Sequence, residues 1–218
     1  KRVRGEKKRV NLFNFTLQYN DIADMNKRLY NGNISQTSWN TANTDSRPKT
    51  YTYSYDALNR ILGAQFDDGN GWGKYSTTGI SYDKNGNINT LGRNGHLNTE
   101  ATLFDVMDNL TYTYDNGNKL LKVTDSASKT QGFKDGTNTN DDFVYDDNGN
   151  MTIDRNKGIT NITYNHLNLP TRVTINGKDI NYTYDANGAK LRKTVENTTT
   201  DYAGNYVYKN DNLEFFNH

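Results

Sequence analysis

Aromatic and polar residues alternate in several short segments of this sequence. The clearest segments run from Tyr51 to Tyr55, from Tyr112 to Tyr114 and from Tyr182 to Tyr184, with threonine or serine between the tyrosines. Side chains at positions i and i+2 of a β-strand lie on the same face of the sheet. The alternation therefore predicts strands that carry a row of tyrosines on one face.

Six copies of one motif accompany these strands. Each copy begins with Tyr-Asp or Tyr-Asn, continues through a polar turn rich in Asn and Gly, and ends in an aliphatic residue. The copies begin at Tyr55, Tyr82, Tyr114, Tyr145, Tyr164 and Tyr184. Repetition of one unit is typical of arrays in which neighbouring units cover each other's apolar surface. Each copy predicts a strand, a turn and a second strand.

The turn of each copy is assigned to its aspartate and its glycine. Asn and Gly tolerate positive φ, so the Asn-Gly pairs at 85–86, 116–117, 148–149 and 187–188 predict tight hairpin turns. The preceding aspartate can accept hydrogen bonds from turn amides. The residues assigned to this structural motif are Tyr55, Asp56, Tyr82, Asp83, Gly86, Tyr114, Asp115, Gly117, Tyr145, Asp146, Gly149, Tyr164, Tyr184, Asp185 and Gly188.

These hairpins predict an all-β fold in which the repeats form one continuous, curling sheet. A single hairpin is marginally stable in water, so the units must pair edge to edge. Three segments are predicted: an N-terminal β or irregular segment at 1–48, the repeat array at 49–200, and a terminal hairpin at 201–218. Residues 126–142 lack periodicity and are rich in turn formers, which predicts a long exposed loop.

Composition limits the classes of function. Only 33% of the 218 residues are hydrophobic, but 12% are aromatic and the net charge is +1, which argues against global disorder. Such a balance gives no long-range field for nucleic acid or anionic membranes, and the basic cluster at 1–9 is left unassigned. Cysteine is absent and no apolar run reaches about 18 residues, so neither disulfides nor a membrane span is predicted.

The spaced Tyr-Asp motifs resemble the YD repeats of bacterial Rhs and wall-associated proteins and of animal teneurins. This resemblance extends from about Tyr19 to the C-terminus. More narrowly, YNGNIS followed by Trp39, then YSYDALNRIL, and the closing residues 201–208 with LEFFNH are similar to the Rhs core-associated region of Bacteroidetes proteins. The resemblance implies a sheet that spirals into a hollow shell, of which this chain would form part.

The same resemblance implies a function and partners. Members of the family enclose a variable C-terminal toxin or passenger, so the implied role is a structural shell segment of a secreted, extracellular or cell-surface protein. The implied partners are the downstream Rhs core and passenger of the same polypeptide, with secretion machinery or surface glycans as further candidates. The DPxGLxG-like self-cleavage motif that many members carry does not occur in this sequence.

Side chains with catalytic or metal-binding chemistry are present, but their spacing points to structure. The carboxylate pairs at 67–68, 141–142 and 146–147 lie in predicted turns, and His96, His166 and His218 form no triad or HExxH pattern. The runs at 67–71 and 135–138 faintly resemble calcium loops without the EF-hand spacing. We therefore expect no enzyme activity, no cofactor and no metal site.

A surface adhesin remains the alternative to a shell. Exposed tyrosines, Trp39 and Trp72 could stack on sugar rings or bind a protein partner. Packing between hairpins is the competing explanation for the same aromatic residues. A shell predicts buried tyrosine rows and no turnover, whereas an adhesin predicts saturable binding of a defined ligand.

Overall fold

The computed structural model describes residues 12–42, 45–71, 73–128, 130–136 and 139–216. The basic cluster at 1–9, Trp72 and His218 lie outside these residues. The described chain is built of antiparallel strands, with one short 3-10 helix at Met25–Lys27. No helix in this part of the chain is long and apolar enough to cross a membrane.

Eight strands form the first sheet, and they pair in chain order. Their bounds are β1 Phe13–Gln18, β2 Gln36–Thr41, β3 Asp45–Tyr55, β4 Ile61–Asp67, β5 Thr77–Tyr82, β6 Ile88–His96, β7 Phe104–Tyr114 and β8 Leu120–Asp125. Nine strands form the second sheet, again in chain order. Their bounds are β9 Phe143–Tyr145, β10 Met151–Asp154, β11 Ile159–Tyr164, β12 Pro170–Ile175, β13 Lys178–Tyr184, β14 Lys190–Val195, β15 Thr198–Ala203, β16 Tyr206–Lys209 and β17 Asn212–Phe216.

This topology confirms the predicted all-β array of hairpins. Consecutive strands are neighbours, as short connections require, and neither sheet closes on itself among the described residues. Contacts group the chain into two compact units: unit 1 comprises residues 1–111 and 125–133, and unit 2 comprises 112–124 and 134–218. The division of the sequence at 48 and 200 stays a prediction, since these units follow contacts and not repeat content.

In unit 1 the aromatic side chains pack together on one face of the sheet. Ring centroids lie 5.8 Å apart between Trp39 and Tyr51, 5.1 Å between Tyr51 and Phe66, and 5.4 Å between Phe66 and Tyr75. A further contact of 5.3 Å joins Tyr75 to Phe104. Phe66, at the centre, is 5% exposed. Because apolar volume is scarce in this chain, tyrosine supplies much of this packing.

Unit 2 buries less aromatic surface. Tyr182 and Tyr184 lie on one face with centroids 6.5 Å apart, as the period-two pattern predicts. Phe143 and Val207 are buried, but the motif tyrosines at 145, 164 and 184 are only half-buried. The tyrosine face is therefore partly covered within this unit.

The loop predicted at 126–142 has no regular secondary structure in its described residues, but it is not uniformly exposed. In unit 1 the backbone N–H of Phe133 donates to Asp108 Oδ1 at 2.6 Å. In unit 2 Asp142 is fully buried, donates its N–H to Leu121 O at 2.8 Å and accepts from Val123 N–H at 2.8 Å. The prediction of an exposed loop is wrong at such positions because buried carboxylates there satisfy strand amides.

Candidate functional site: the repeat turns

Each repeat turn is organised by the side chain of its aspartate. Asp83 shows the arrangement: its Oδ1 accepts the N–H groups of Asn85 and Asn87, both at 2.8 Å. Its own N–H donates to Asn87 O at 2.9 Å, and its Oδ2 accepts from Asn87 Nδ2 at 2.8 Å. One carboxylate therefore satisfies two turn amides that would otherwise depend on water.

The other copies repeat this geometry at residues i+2 and i+4 from the aspartate or asparagine. The N–H donors and distances are Leu58 and Arg60 to Asp56, 2.9 and 2.9 Å; Gly117 and Lys119 to Asp115, 2.8 and 3.0 Å; Asn148 and Asn150 to Asp146, 3.0 and 2.8 Å; Leu167 and Leu169 to Asn165, 2.9 and 3.0 Å; and Asn187 and Ala189 to Asp185, 2.9 and 2.8 Å. The asparagine of the fifth copy uses its amide oxygen as the aspartates use a carboxylate oxygen.

A left-handed residue closes most of these turns. It lies four residues after the motif tyrosine, at Asn59, Gly86, Gly149, Asn168 and Gly188, with φ of 63, 93, 84, 57 and 85°. The turns are three-residue loops with one left-handed residue, and not the two-residue Asn-Gly turns that the sequence suggested. Gly117 is not left-handed, because its copy reads YDNGN and places glycine one position earlier. The left-handed assignment of Gly117 was wrong.

The motif tyrosines connect each hairpin to the one before it. Their hydroxyls donate to backbone carbonyls: Tyr55 to Ile34 at 2.9 Å, Tyr82 to Ile61 at 2.6 Å, Tyr145 to Leu120 at 2.8 Å, Tyr164 to Met151 at 2.6 Å, and Tyr184 to Pro170 at 3.1 Å. Except for Ile34, each acceptor is the first residue of the strand that follows the preceding repeat turn. The tyrosine thus recognises the backbone of its neighbour at a fixed register.

Electrostatics agree with these roles. Burial raises the pKa of the hydroxyls of Tyr55, Tyr145, Tyr164 and Tyr184, so these groups stay protonated donors. The side-chain amide of Asn87 and the turn N–H groups lower the pKa of Asp83, and those of Asn150 do the same for Asp146. At Asp56 the backbone N–H of Arg60 is the main cause of a lowered pKa. The turns therefore hold carboxylates in the charged form.

Asparagine side chains also connect neighbouring turns, a feature that sequence reasoning missed. Asn59 Oδ1 accepts from Asn31 Nδ2 at 2.8 Å and from Asn33 Nδ2 at 3.0 Å. In unit 2, Asn168 Oδ1 accepts from Asn150 Nδ2 at 2.9 Å. The available signal was the Leu-Asn pair that replaces Asn-Gly in two copies, since asparagine at the left-handed position adds an acceptor that glycine lacks.

The site is suited to holding backbone together and shows little that could do chemistry. Of the three carboxylate pairs, Asp67 accepts the N–H of Gly69 at 2.8 Å and Asp68 pairs with Lys74 Nζ at 2.9 Å. Across the described ranges, no cluster of three or more His, Cys, Asp or Glu side chains could hold a metal ion. The predictions of no catalytic and no cofactor residues stay predictions.

Comparisons with known proteins place the fold. No family model matches the sequence, and no curated protein matches it. Among solved structures, the crystal structure of TcdB2-TccC3-Cdc42 is similar with a TM-score of 0.57 at 15% identity, over 91% of this chain and 11% of that one. TcdB2-TccC3 without its hypervariable C-terminal region gives 0.55 at 14% identity, again over 91% and 11%. The likeness shows a shared fold, and the chain spans about a ninth of those chains.

Proposed function

We propose that this chain is a wall segment of a secreted Rhs-type YD-repeat protein, whose sheet encloses or presents a C-terminal toxin or passenger. The chain itself performs no catalysis in this proposal. Its working parts are the repeat turns and the tyrosine hydroxyls that join one hairpin to the next. The protein acts outside the cell or at its surface, and its partners are the downstream parts of the same polypeptide.

The tyrosine contacts are the observation that carries this proposal. A hydroxyl that reaches the first strand residue after the preceding turn specifies where the next hairpin pairs, whatever lies between the repeats. Such a device allows a sheet to be extended hairpin by hairpin with its register maintained. Extension with a fixed register is what a large enclosing wall requires, and an isolated binding module would not need it.

The shared fold and the sequence resemblance support the same role. The similar structures contain a chain about nine times longer over which this fold occupies 11%, and one of those proteins has a hypervariable C-terminal region. The Rhs resemblance predicts a C-terminal passenger that varies between proteins. Both features fit a constant wall that carries changing contents.

The packing of the aromatic side chains favours the wall over a glycan-binding adhesin. The rings of Phe66 and Tyr75 meet at an interplanar angle of 77°, and those of Tyr75 and Phe104 meet at 85°. Edge-to-face packing of this kind occupies ring faces that a sugar would have to reach. These aromatic residues are therefore better explained as the covered face of a sheet.

Cryo-electron microscopy of the parent polypeptide is the test. We expect a closed β wall with density inside it, and limited proteolysis should leave the enclosed passenger intact while the separately expressed passenger is degraded. An open, solvent-filled array with an accessible passenger would contradict the proposal. Saturable binding of this chain to a glycan array, abolished by Trp39→Ala, would support the adhesin instead.

A further inference from the structure

Strand β1 is an edge strand without the usual protection against further pairing. Among the described residues it pairs only with β2, in an unbroken register over Phe13–Gln18. Its sequence, FNFTLQ, has no charge and no proline. Natural edges normally carry lysine, proline or a bulge that blocks an incoming strand. This edge is therefore open to pairing by its chemistry.

The backbone geometry shows which groups face the open side. Leu12 O accepts the N–H of Ala42 and Gln18 O accepts the N–H of Ser35, so both of these even-numbered residues are directed toward β2. Backbone groups alternate in direction along an antiparallel strand. The N–H and C=O groups of Phe13, Phe15 and Leu17 consequently point away from β2, toward the free edge.

The side chains of the same three residues form an apolar row. Phe13, Phe15 and Leu17 are 60, 56 and 42% exposed, and the two phenylalanine rings are stacked at 6.5 Å. Phe15 is the direct cross-strand neighbour of Trp39, which begins the aromatic packing of unit 1. The row is thus the uncovered continuation of that aromatic face.

We propose that β1 pairs with β1 of a second copy of this chain, antiparallel and centred on Phe15. The apolar row is self-complementary about this residue, because Phe15 then faces Phe15 of the other copy and Phe13 faces Leu17 in both directions. All three pairs use the outward backbone groups, which gives about six hydrogen bonds across a two-fold axis. A one-residue slip would set the apolar face of one copy against Asn14 and Thr16 of the other.

The opposite edge of the chain is less suited to this role. Strand β17 carries Glu214, and its register with β16 shifts between Val207 and Tyr208. A charge and a register irregularity are two of the features that discourage further pairing. The inferred dimer therefore uses β1, and it stands whether or not the proposed wall function is correct.

Sedimentation equilibrium of this chain over a concentration series provides the test. We expect association from 24.8 kDa to twice that mass. Phe15→Lys and Phe15→Glu should each weaken the dimer by at least about tenfold, because like charges then meet on the two-fold axis. An equimolar mixture of the two variants should associate again, since opposite charges face each other. Recovery on mixing also shows that both variants are folded.

Matched controls assign the interface. Phe215→Lys introduces the same charge on β17 and should leave the dimer unchanged. A wild-type chain that stays monomeric throughout the series would overturn the inference, and it would be the result if residues upstream of β1 or an earlier repeat cover this edge. Association that survives Phe15→Lys but is lost with Phe215→Lys would also overturn it, as would a mixture that stays monomeric.

Discussion

Hairpins in unit 2 are closed by two kinds of turn. At one kind, the repeat turns, the side chains of Asp146, Asn165 and Asp185 accept hydrogen bonds from the backbone of a three-residue loop. The other kind joins β12 to β13, β14 to β15 and β16 to β17 through only two residues, at 176–177, 196–197 and 210–211. There the chain reverses through positive φ at Asn176, Gly177, Glu196, Asn210 and Asp211.

The difference separates two ways in which sequence specifies a hairpin. A repeat turn is specified by an acceptor side chain and by a tyrosine hydroxyl, so its signature is a dipeptide that can be recognised anywhere in the chain. A two-residue turn is specified by backbone dihedral preference, which Asn, Asp and Gly share. Substitutions should therefore affect the first kind through lost hydrogen bonds and the second through φ.

The largest effect is expected at the tyrosine of a repeat. Tyr184→Ala should lower the free energy of unfolding by about 2–3 kcal/mol, less than for a fully buried aromatic because this ring is half-buried. Tyr184→Phe should cost about 1 kcal/mol, since it removes only the hydrogen bond to Pro170 O. Urea denaturation measures both. Tyr206→Ala, at a 49% exposed tyrosine beside a two-residue turn, is the control and should cost less.

Loss of the acceptor side chain is the next most damaging change. Asp146→Ala removes the acceptor for Asn148 N–H, Asn150 N–H and Asn150 Nδ2, and the melting temperature should fall by several degrees. Asp146→Asn should be tolerated at neutral pH, because Asn165 closes the sister turn with an amide oxygen. Thermal denaturation distinguishes these outcomes. Equal losses in both variants would mean that charge, and not acceptance, holds the turn.

Acid should weaken the repeat turns selectively. The pKa values of Asp56, Asp83 and Asp146 lie below the ordinary 3.8 in the folded chain, so their stabilisation is complete above about pH 4 and is lost as the pH falls through the folded pKa. Unfolding free energy should therefore decrease on acidification. Replacing Asp83 and Asp146 together by Asn should reduce the loss between pH 7 and pH 3. An unchanged loss would place the acid sensitivity elsewhere, for example at buried Asp142.

Sequence predicted the parts of this fold that have a local signature. Period-two tyrosines and the Tyr-Asp dipeptides identified the strands and repeat turns, because both depend on residues close in the chain. The connection of Tyr82 to Ile61 and of Asn168 to Asn150 depends on residues 18 to 21 positions apart. Burial of Asp142 depends on the strand at Val123. No local pattern encodes such partners, and so these contacts were missed.

A smaller effect tests the left-handed position of the repeat turn. Gly149 has φ of +84°, and no heavy atom lies within 4 Å of the position that a Cβ would take, so Gly149→Val should cost about 1–2 kcal/mol from backbone strain alone. Gly149→Asn should cost much less, because Asn168 occupies the same position of a sister turn at φ 57°. Gly117→Val is the control at a glycine outside this region. A similar cost for valine and asparagine at position 149 would exclude strain as the cause.

The smallest expected effect is a gain in stability at a two-residue turn. Glu196 has φ of 52°, a conformation that asparagine tolerates better than glutamate, so Glu196→Asn should stabilise the chain by about 0.5–1 kcal/mol. The substitution also removes the ion pair of Glu196 with Lys178 at 3.0 Å, but both side chains are more than half exposed and such pairs contribute little. Glu196→Gln removes the same ion pair and retains the strain, so it should give no gain in urea denaturation. If both variants stabilised the chain equally, the charge of Glu196 and not its dihedral angle would limit this hairpin.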